Sequence, residues 1–329
     1  MPDLDSLSIL FIWTAIAIYA AAFVAYTFDL ARRSEVTADA RLEREAALVG
    51  AGAGSAVATG DAASEDAASA EPAKPRYVMA RIGTTLTWLA FVFHLAATVL
   101  RGIAAERVPW ANLYEFAMIG TLLVVFVYLL VLTRIDLRFL GTFITGLIVV
   151  LMGSAALSFY VGVVPLMDPL KSIWLVIHVF VASLGTAFFA LTAALSVLQL
   201  MQHRRERRIA ENADKTGPSF LATLPGSERL EGLSFRFAIV GFILWTFTLI
   251  AGSIWAQDAW GRYWGFDVKE TWTFIIWVLF AGYIHARATR GWRGSRSAWL
   301  AIIGFSAVIF NFTIVNVFFK GLHAYSGLS

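Results

Sequence analysis

Eight runs of mostly apolar residues, separated by short charged connections, leave this chain few folds to choose from. They occupy residues 7–29, 82–102, 113–133, 139–163, 172–200, 235–255, 272–286 and 298–319. Most are about as long as a helix needs to be to cross roughly 30 Å of hydrocarbon. Backbone groups in lipid must be satisfied inside their own segment, so helices are the expected form. With 59% hydrophobic and only 15% charged residues over 329 positions, a soluble composition is excluded. The expected fold class is all-α: a polytopic membrane protein of about eight transmembrane helices.

Basic residues orient it. The connections after spans one, three, five and seven carry 20 Lys and Arg, and the opposite side carries 6. The positive-inside tendency then places both termini outside, together with the loop between spans six and seven. Topology accounts for the net charge of +3, which gives no reason to invoke nucleic acid. Asp3 and Asp5 precede the first span, and Arg32 and Arg33 follow it. That is the wrong flank charge for a signal peptide, so the span is expected to be retained. With no cysteine, the chain has no thiolate with which to ligate a metal or form a thioether.

Three regions follow. Residues 1–30 form an N-terminal transmembrane helix, and 31–79 a cytoplasmic linker, with 80–329 as a seven-helix membrane domain carrying an outer loop at 255–272. Residues 31–48 mix charge with good helix formers, so the first span is expected to continue as a polar helix. Residues 49–76 have almost no large apolar side chain and are expected to be disordered. The basic run "QHRRERR" is read as a cytoplasmic anchor, with His203 a solvated surface residue.

Ionisable groups at membrane depth are costly and therefore candidates for function. His178 lies about 9 Å in from Ser172 by helix rise. His323 follows the last span on the same side. His285 is about 20 Å beyond Trp272 along its helix. His94 sits inside span two. Singly, each reads equally well as a hydrogen-bonded packing residue. Two outer histidines on different spans also suit the axial positions of one metal centre, and a porphyrin needs no more from the protein. Haem, taken as haem b, is the economical group.

The stretch "AWGRYWGFDVKETW" (259–272) supplies the rest. Trp255, Trp260, Trp264, Phe266 and Trp272 offer flat stacking surfaces, although interfacial tryptophans are ordinarily anchors. Gly261 and Gly265 allow close backbone approach. Arg262 or Lys269 suits haem propionates, and Asp267 and Glu270 are placed to orient those cations or cap span seven. Glu115 opens span three and is expected to cap it or pair with Arg101.

At these residues the sequence resembles the CcsA/ResC family of cytochrome c maturation proteins, called CcsB in some lineages, whose outer loop is written WGxxWxWDPKETW. Here it reads "WGRYWGFDVKETW" (260–272), with Phe266 for the third tryptophan and Val268 for the proline. Further matches are "PWANLYEF" (109–116), "IWLVIHVFVASLG" (173–185), "IIWVLFAGYIHAR" (275–287) and "NVFFKGLHAYSG" (316–327). The resemblance implies haem translocation across the plasma membrane and attachment to CxxCH of apocytochrome c. It implies a holocytochrome-c synthase (cytochrome c haem lyase) working with a ResB-type partner, with the thiol reductant elsewhere in the pathway. By position, His178 and His323 match the outer haem ligands, and His285 the inner one. Trp260, Trp264 and Asp267 match signature residues. His94, Arg101 and Glu115 are possible additional contacts, and no catalytic residue is named. The competing readings are a haem exporter without ligation activity and a non-enzymatic assembly chaperone for a respiratory complex.

Overall fold

The computed structural model describes residues 3–53, 78–163, 171–211, 220–289, 291–319 and 321–322. Among them no strand occurs. The long helices are α1 (Leu4–Ala53), α2 (Val78–Ala105), α3 (Leu113–Leu132), α4 (Gly141–Ser158), α5 (Ile173–Glu211), α6 (Ser227–Trp260), α7 (Val268–Thr289) and α8 (Ser295–Phe312), with a short α9 (Ile314–Phe318). Single 3-10 turns precede α4 and α6. Seven helical stretches are long and apolar enough to cross a membrane. The remaining expected span, α7, has 22 residues and packs into the same bundle, but carries Lys269, Glu270, His285 and Arg287. The protein is thus a multi-pass helical membrane protein. α1 runs unbroken through the polar stretch 31–48, and most of the expected disordered stretch lies outside the described residues.

Lipid gives helices no hydrophobic drive to associate, so close packing and interhelical hydrogen bonds must hold them. The α5–α6 pair has both. A Cβ on Gly185 would stand only 3.4 Å from the Gly241 carbonyl oxygen, a measure of how near the two backbones come. A few turns along, the Ser196 and Ser234 hydroxyls meet at 2.8 Å, and Ser234 donates to the Thr192 carbonyl at 3.1 Å. Bonds of this kind contribute about 0.6 kcal/mol each. α7 is fixed by the Trp245 indole, which donates to the Thr273 carbonyl at 3.0 Å, and by Trp277, which donates to the Thr246 hydroxyl at 2.9 Å.

α1 packs along α2 and α4, with Ile12, Tyr19 and Tyr26 fully buried. Ser8 donates to the Ala97 carbonyl, and Asp29 accepts from the Ala80 amide at the start of α2. α3 is the most enclosed of the apolar spans. At its N-terminal end Arg101, with no exposed side-chain surface, reaches Glu115 at 2.9 Å, Asp5 at 2.5 Å and the Val161 carbonyl at 2.7 Å. Arg107 adds a second cation to Glu115 at 2.8 Å. One network thus ties α1, α2, α3 and the chain leaving α4. At the other end Glu231 takes Arg287 at 2.6 Å and the Gly294 amide at 2.9 Å, linking α6, α7 and the start of α8.

Candidate functional site: an aromatic cavity beneath the Trp-rich loop

A cavity of about 300 Å³ opens between α3, α4, α5, α6 and α8, under the loop that joins α6 to α7. Its walls include Trp110, Phe116, His178, Trp255, Trp264 and Lys269. The volume stands at the lower end of the roughly 300–1,000 Å³ typical of small-molecule sites. The lining is chiefly apolar, yet Trp110 Nε1, Asn112 Nδ2, Ser183 Oγ and Asn311 Oδ1 are buried there without a hydrogen-bond partner among the described residues. Buried polar groups are normally paired, so these four mark a place built to receive something.

His178 sits one and a half turns into α5. Its Nδ1 lies 2.9 Å from the Thr248 carbonyl oxygen on α6. A carbonyl only accepts, so Nδ1 donates and Nε2 is the lone-pair nitrogen of the neutral ring. The ring lies nearly parallel to Trp255, with centroids 5.8 Å apart and 24° between planes. Gly252 makes room: a Cβ there would stand 2.7 Å from His178 Cε1. Trp260 packs edge-on against Trp255 at 4.8 Å, behind the cavity wall.

The loop is organised by helix capping. Gly261 ends α6 at φ 70°, a left-handed conformation that glycine adopts without steric cost. Glu270, in the first turn of α7, accepts the Asp267 amide at 3.0 Å and the Gly265 amide at 2.8 Å, while the Asp267 carboxylate lies 3.4 Å from the Lys269 amide. This is the reciprocal capping box, and it accounts for the acid pair in "FDVKE". Val268 is the first helical residue, the position where proline is favoured, so the family's proline and this valine serve one backbone geometry. Phe266 is 80% exposed with φ 56°, an uncommon conformation for a residue with a side chain. Its ring is offered outward. Trp272 packs on Phe310 of α8, 4.4 Å between centroids, and does not line the cavity.

Of the two cations in the loop region, Lys269 lines the cavity and Arg262 does not. Lys269 donates to Asn316 on α9. Arg262 Nη1 forms an ion pair with Glu270 Oε1 at 3.5 Å. Asp267 has another role: its Oδ1 accepts the Leu322 amide at 3.1 Å, holding the chain that leaves α9 against the loop. His323, the next residue, lies outside the described residues.

The remaining histidines are elsewhere. His285 is exposed on the outward face of α7, whose inward stripe is Ile276, Phe280 and Tyr283. His94 is fully buried, with Nδ1 3.5 Å from the Tyr19 hydroxyl, and lines no part of this cavity. Arg101 and Glu115 are committed to each other and are likewise absent from the walls. The sequence reading did not single out Thr248, Gly252, Trp110 or Asn316. A glycine in mid-helix was the available signal for Gly252, since it weakens a helix unless something packs there.

The family described as Cytochrome C assembly protein matches residues 110–323, which takes in every element of this cavity. The chain belongs to that family. Among its relatives, the cytochrome c biogenesis protein CcsA of Heterosigma akashiwo is 34% identical over 67% of this chain and 77% of its own length. CcsA of Guillardia theta is 34% identical over 75% and 86% of the two chains, and that of Prochlorococcus marinus 34% identical over 69% and 78%. Among solved structures, Cytochrome c Heme Lyase CcmF superposes with a TM-score of 0.61 at 16% identity, covering 95% of this chain and 47% of that one. The likeness concerns the fold, and this chain spans about half the length of that protein. The family assignment makes cytochrome c biogenesis the general function.

Proposed function

We propose that this protein is the membrane subunit of a cytochrome c synthase, and that the cavity beneath the Trp-rich loop holds the haem to be attached. One observation carries the reading: Nδ1 of His178 is engaged by the Thr248 carbonyl, so the ring meets the cavity in the tautomer that ligates iron through Nε2. Trp255 and Trp264 supply stacking surface for a flat macrocycle, and Phe266 an exposed edge beside the mouth. Lys269, which lines the cavity wall, pairs with a propionate, and Arg262 is ion-paired with Glu270 on the same wall.

His323 supplies the second axial nitrogen in this proposal. The Asp267–Leu322 hydrogen bond supports it, because the chain is held at the loop one residue earlier. His285 belongs to an inner site completed by a ResB-type partner, and its outward exposure supports that role. The excess of basic residues at the opposite end of the bundle supports an outer, extracytoplasmic loop in the plasma membrane. The cargo is haem b and the acceptor is CxxCH of apocytochrome c. Each bond forms by adding a cysteine S–H across a vinyl C=C, a step without net redox change. The protein's own contribution is positioning, which makes a bimolecular addition local.

The test is spectroscopic. His178→Ala should lose haem from the purified protein or convert a low-spin spectrum to high-spin, and imidazole added to the medium should partly restore both the spectrum and cytochrome c assembly. His203→Ala should behave as the unaltered protein does. Wild-type spectra in His178→Ala would overturn the assignment.

A further inference from the structure

At the end of the bundle away from the Trp-rich loop, a cleft of about 570 Å³ lies between the first turns of α2 and the turn that joins α3 to α4. Arg81, Thr85, Arg134, Asp136 and Arg138 line it. Asp136 is already engaged: Arg138 donates to it from Nε at 2.8 Å and from its backbone amide at 3.2 Å. The nearby Asp29 of α1 is held by Arg33 and by the Ala80 amide. That leaves Arg81 and Arg134 facing one cleft with no carboxylate partner among the described residues.

The surface running from this cleft toward the middle of the bundle is apolar and follows both helices. On α2, Arg81, Thr85, Trp88 and Val92 share one stripe at steps of three and four residues, passing from cation through hydroxyl to rings and aliphatics. From Arg134, in the turn just after α3, four-residue steps lead back along α3 to Leu130 and Phe126. Trp88, Val92, Phe126 and Leu130 are 41–56% exposed. Phe91 bridges the stripes, stacked on Phe126 at 6.2 Å and edge-on to Trp88 at 6.0 Å.

We infer that this cleft and stripe bind one anionic phospholipid, its phosphate between Arg81 and Arg134 and an acyl chain along Trp88, Val92, Phe126 and Leu130. Charge complementarity argues for the head: two unpaired guanidiniums present forked donors matched to phosphate oxygens. The polar-to-apolar order argues for a lipid over a soluble anion, because a free phosphate has no use for the stripe. Basic pockets between transmembrane helices are where anionic headgroups are held. The site is separate from the haem-binding proposal and does not rest on it.

The full-length protein, purified in detergent and stripped of lipid, is mixed with dioleoyl phosphatidylglycerol or dioleoyl phosphatidylcholine, and bound lipid is counted by native mass spectrometry. One phosphatidylglycerol should be retained with about thirtyfold preference over phosphatidylcholine, the scale expected of two interfacial arginines. The Arg81→Gln/Arg134→Gln double variant should bring the two to near parity, and Arg208→Gln, on an exposed stretch of α5, should not. Trp88→Ala should weaken dioleoyl phosphatidylglycerol but not the dihexanoyl form. Should the double variant not fold, the wild-type preference and a competition with inorganic phosphate still decide. Equal retention of both lipids, an unchanged preference in the folded double variant, or displacement of phosphatidylglycerol by millimolar inorganic phosphate would each overturn the inference.

Discussion

His178 and His94 are both histidines at membrane depth beside an aromatic ring, yet only His178 faces the cavity. His178 lies flat against Trp255, its Nδ1 engaged by a backbone carbonyl and its ring on the cavity wall. His94 stands edge-on to Tyr19, at 79° between planes, and is fully buried among α1, α2 and α3. The two regions around them differ in the same way. The α5–α6–α8 side leaves a lined space and unpaired polar atoms within it. The α1–α2 side packs closed around His94 and ties the N-terminal end of α3 with buried charge. Burial of a histidine in a membrane protein therefore says little about function; what matters is whether its ring is aimed at a space.

The largest effect that would test this contrast lies on the closed side. Glu115→Gln leaves Arg101 and Arg107 without their shared carboxylate, and breaking a buried pair costs about 3–5 kcal/mol. Thermal unfolding in detergent should shift down accordingly, while the haem spectrum of the folded fraction stays unchanged. A spectrum that changes with Glu115 would join the two regions that the geometry separates.

Next comes Gly252→Val, which drives a side chain into the space of the His178 ring. Overpacking of this kind costs about 1–3 kcal/mol. Haem retention should fall well beyond what the loss of stability explains. Its partner experiment is Gly83→Val on α2, where a Cβ would stand 2.9 Å from the Tyr26 ring. That variant should lose stability alone, read by melting and by spectrum side by side.

A smaller effect, on stability alone, is expected at His94. Leucine has a similar volume but leaves the buried Tyr19 hydroxyl without its 3.5 Å partner, a loss of about 1 kcal/mol. His94→Leu should leave the haem spectrum intact and lower the melting temperature slightly. Loss of haem would give His94 a role the cavity does not explain.

The smallest effect lies outside both regions, in the turn after α3. The Arg138 guanidinium, donating to Asp136, holds that carboxyl below its ordinary range. A carboxyl so lowered stabilises the fold above its unfolded-state pKa, and the contribution disappears as pH falls through the folded value. Asp136 is 59% exposed, so screening keeps the pair within about 1 kcal/mol. Asp136→Asn should therefore melt like the parent in strong acid and differ by a degree or two at neutral pH.

The contrast between the two histidines also marks the limit of the sequence. Span length, helix class and the clustering of rings and charges at 255–272 follow from the order of residues, because hydrocarbon thickness and backbone satisfaction act on each segment alone. The capping box of Asp267 and Glu270 was equally local, as was the choice of cap or Arg101 partner for Glu115. The resolution of that choice was not: Glu115 does both, accepting the Ala111 amide at 2.8 Å where α3 begins and pairing with Arg101 from a different helix. Which histidine meets a cavity was likewise beyond one-dimensional reading. It depends on the rotation of α5 against α6, set where Gly252 admits the His178 ring and the Thr248 carbonyl takes its Nδ1. His94 is denied a cavity by Tyr19, 75 residues away. Local physics placed the residues at their depths, and only helix–helix packing decided which way their side chains look.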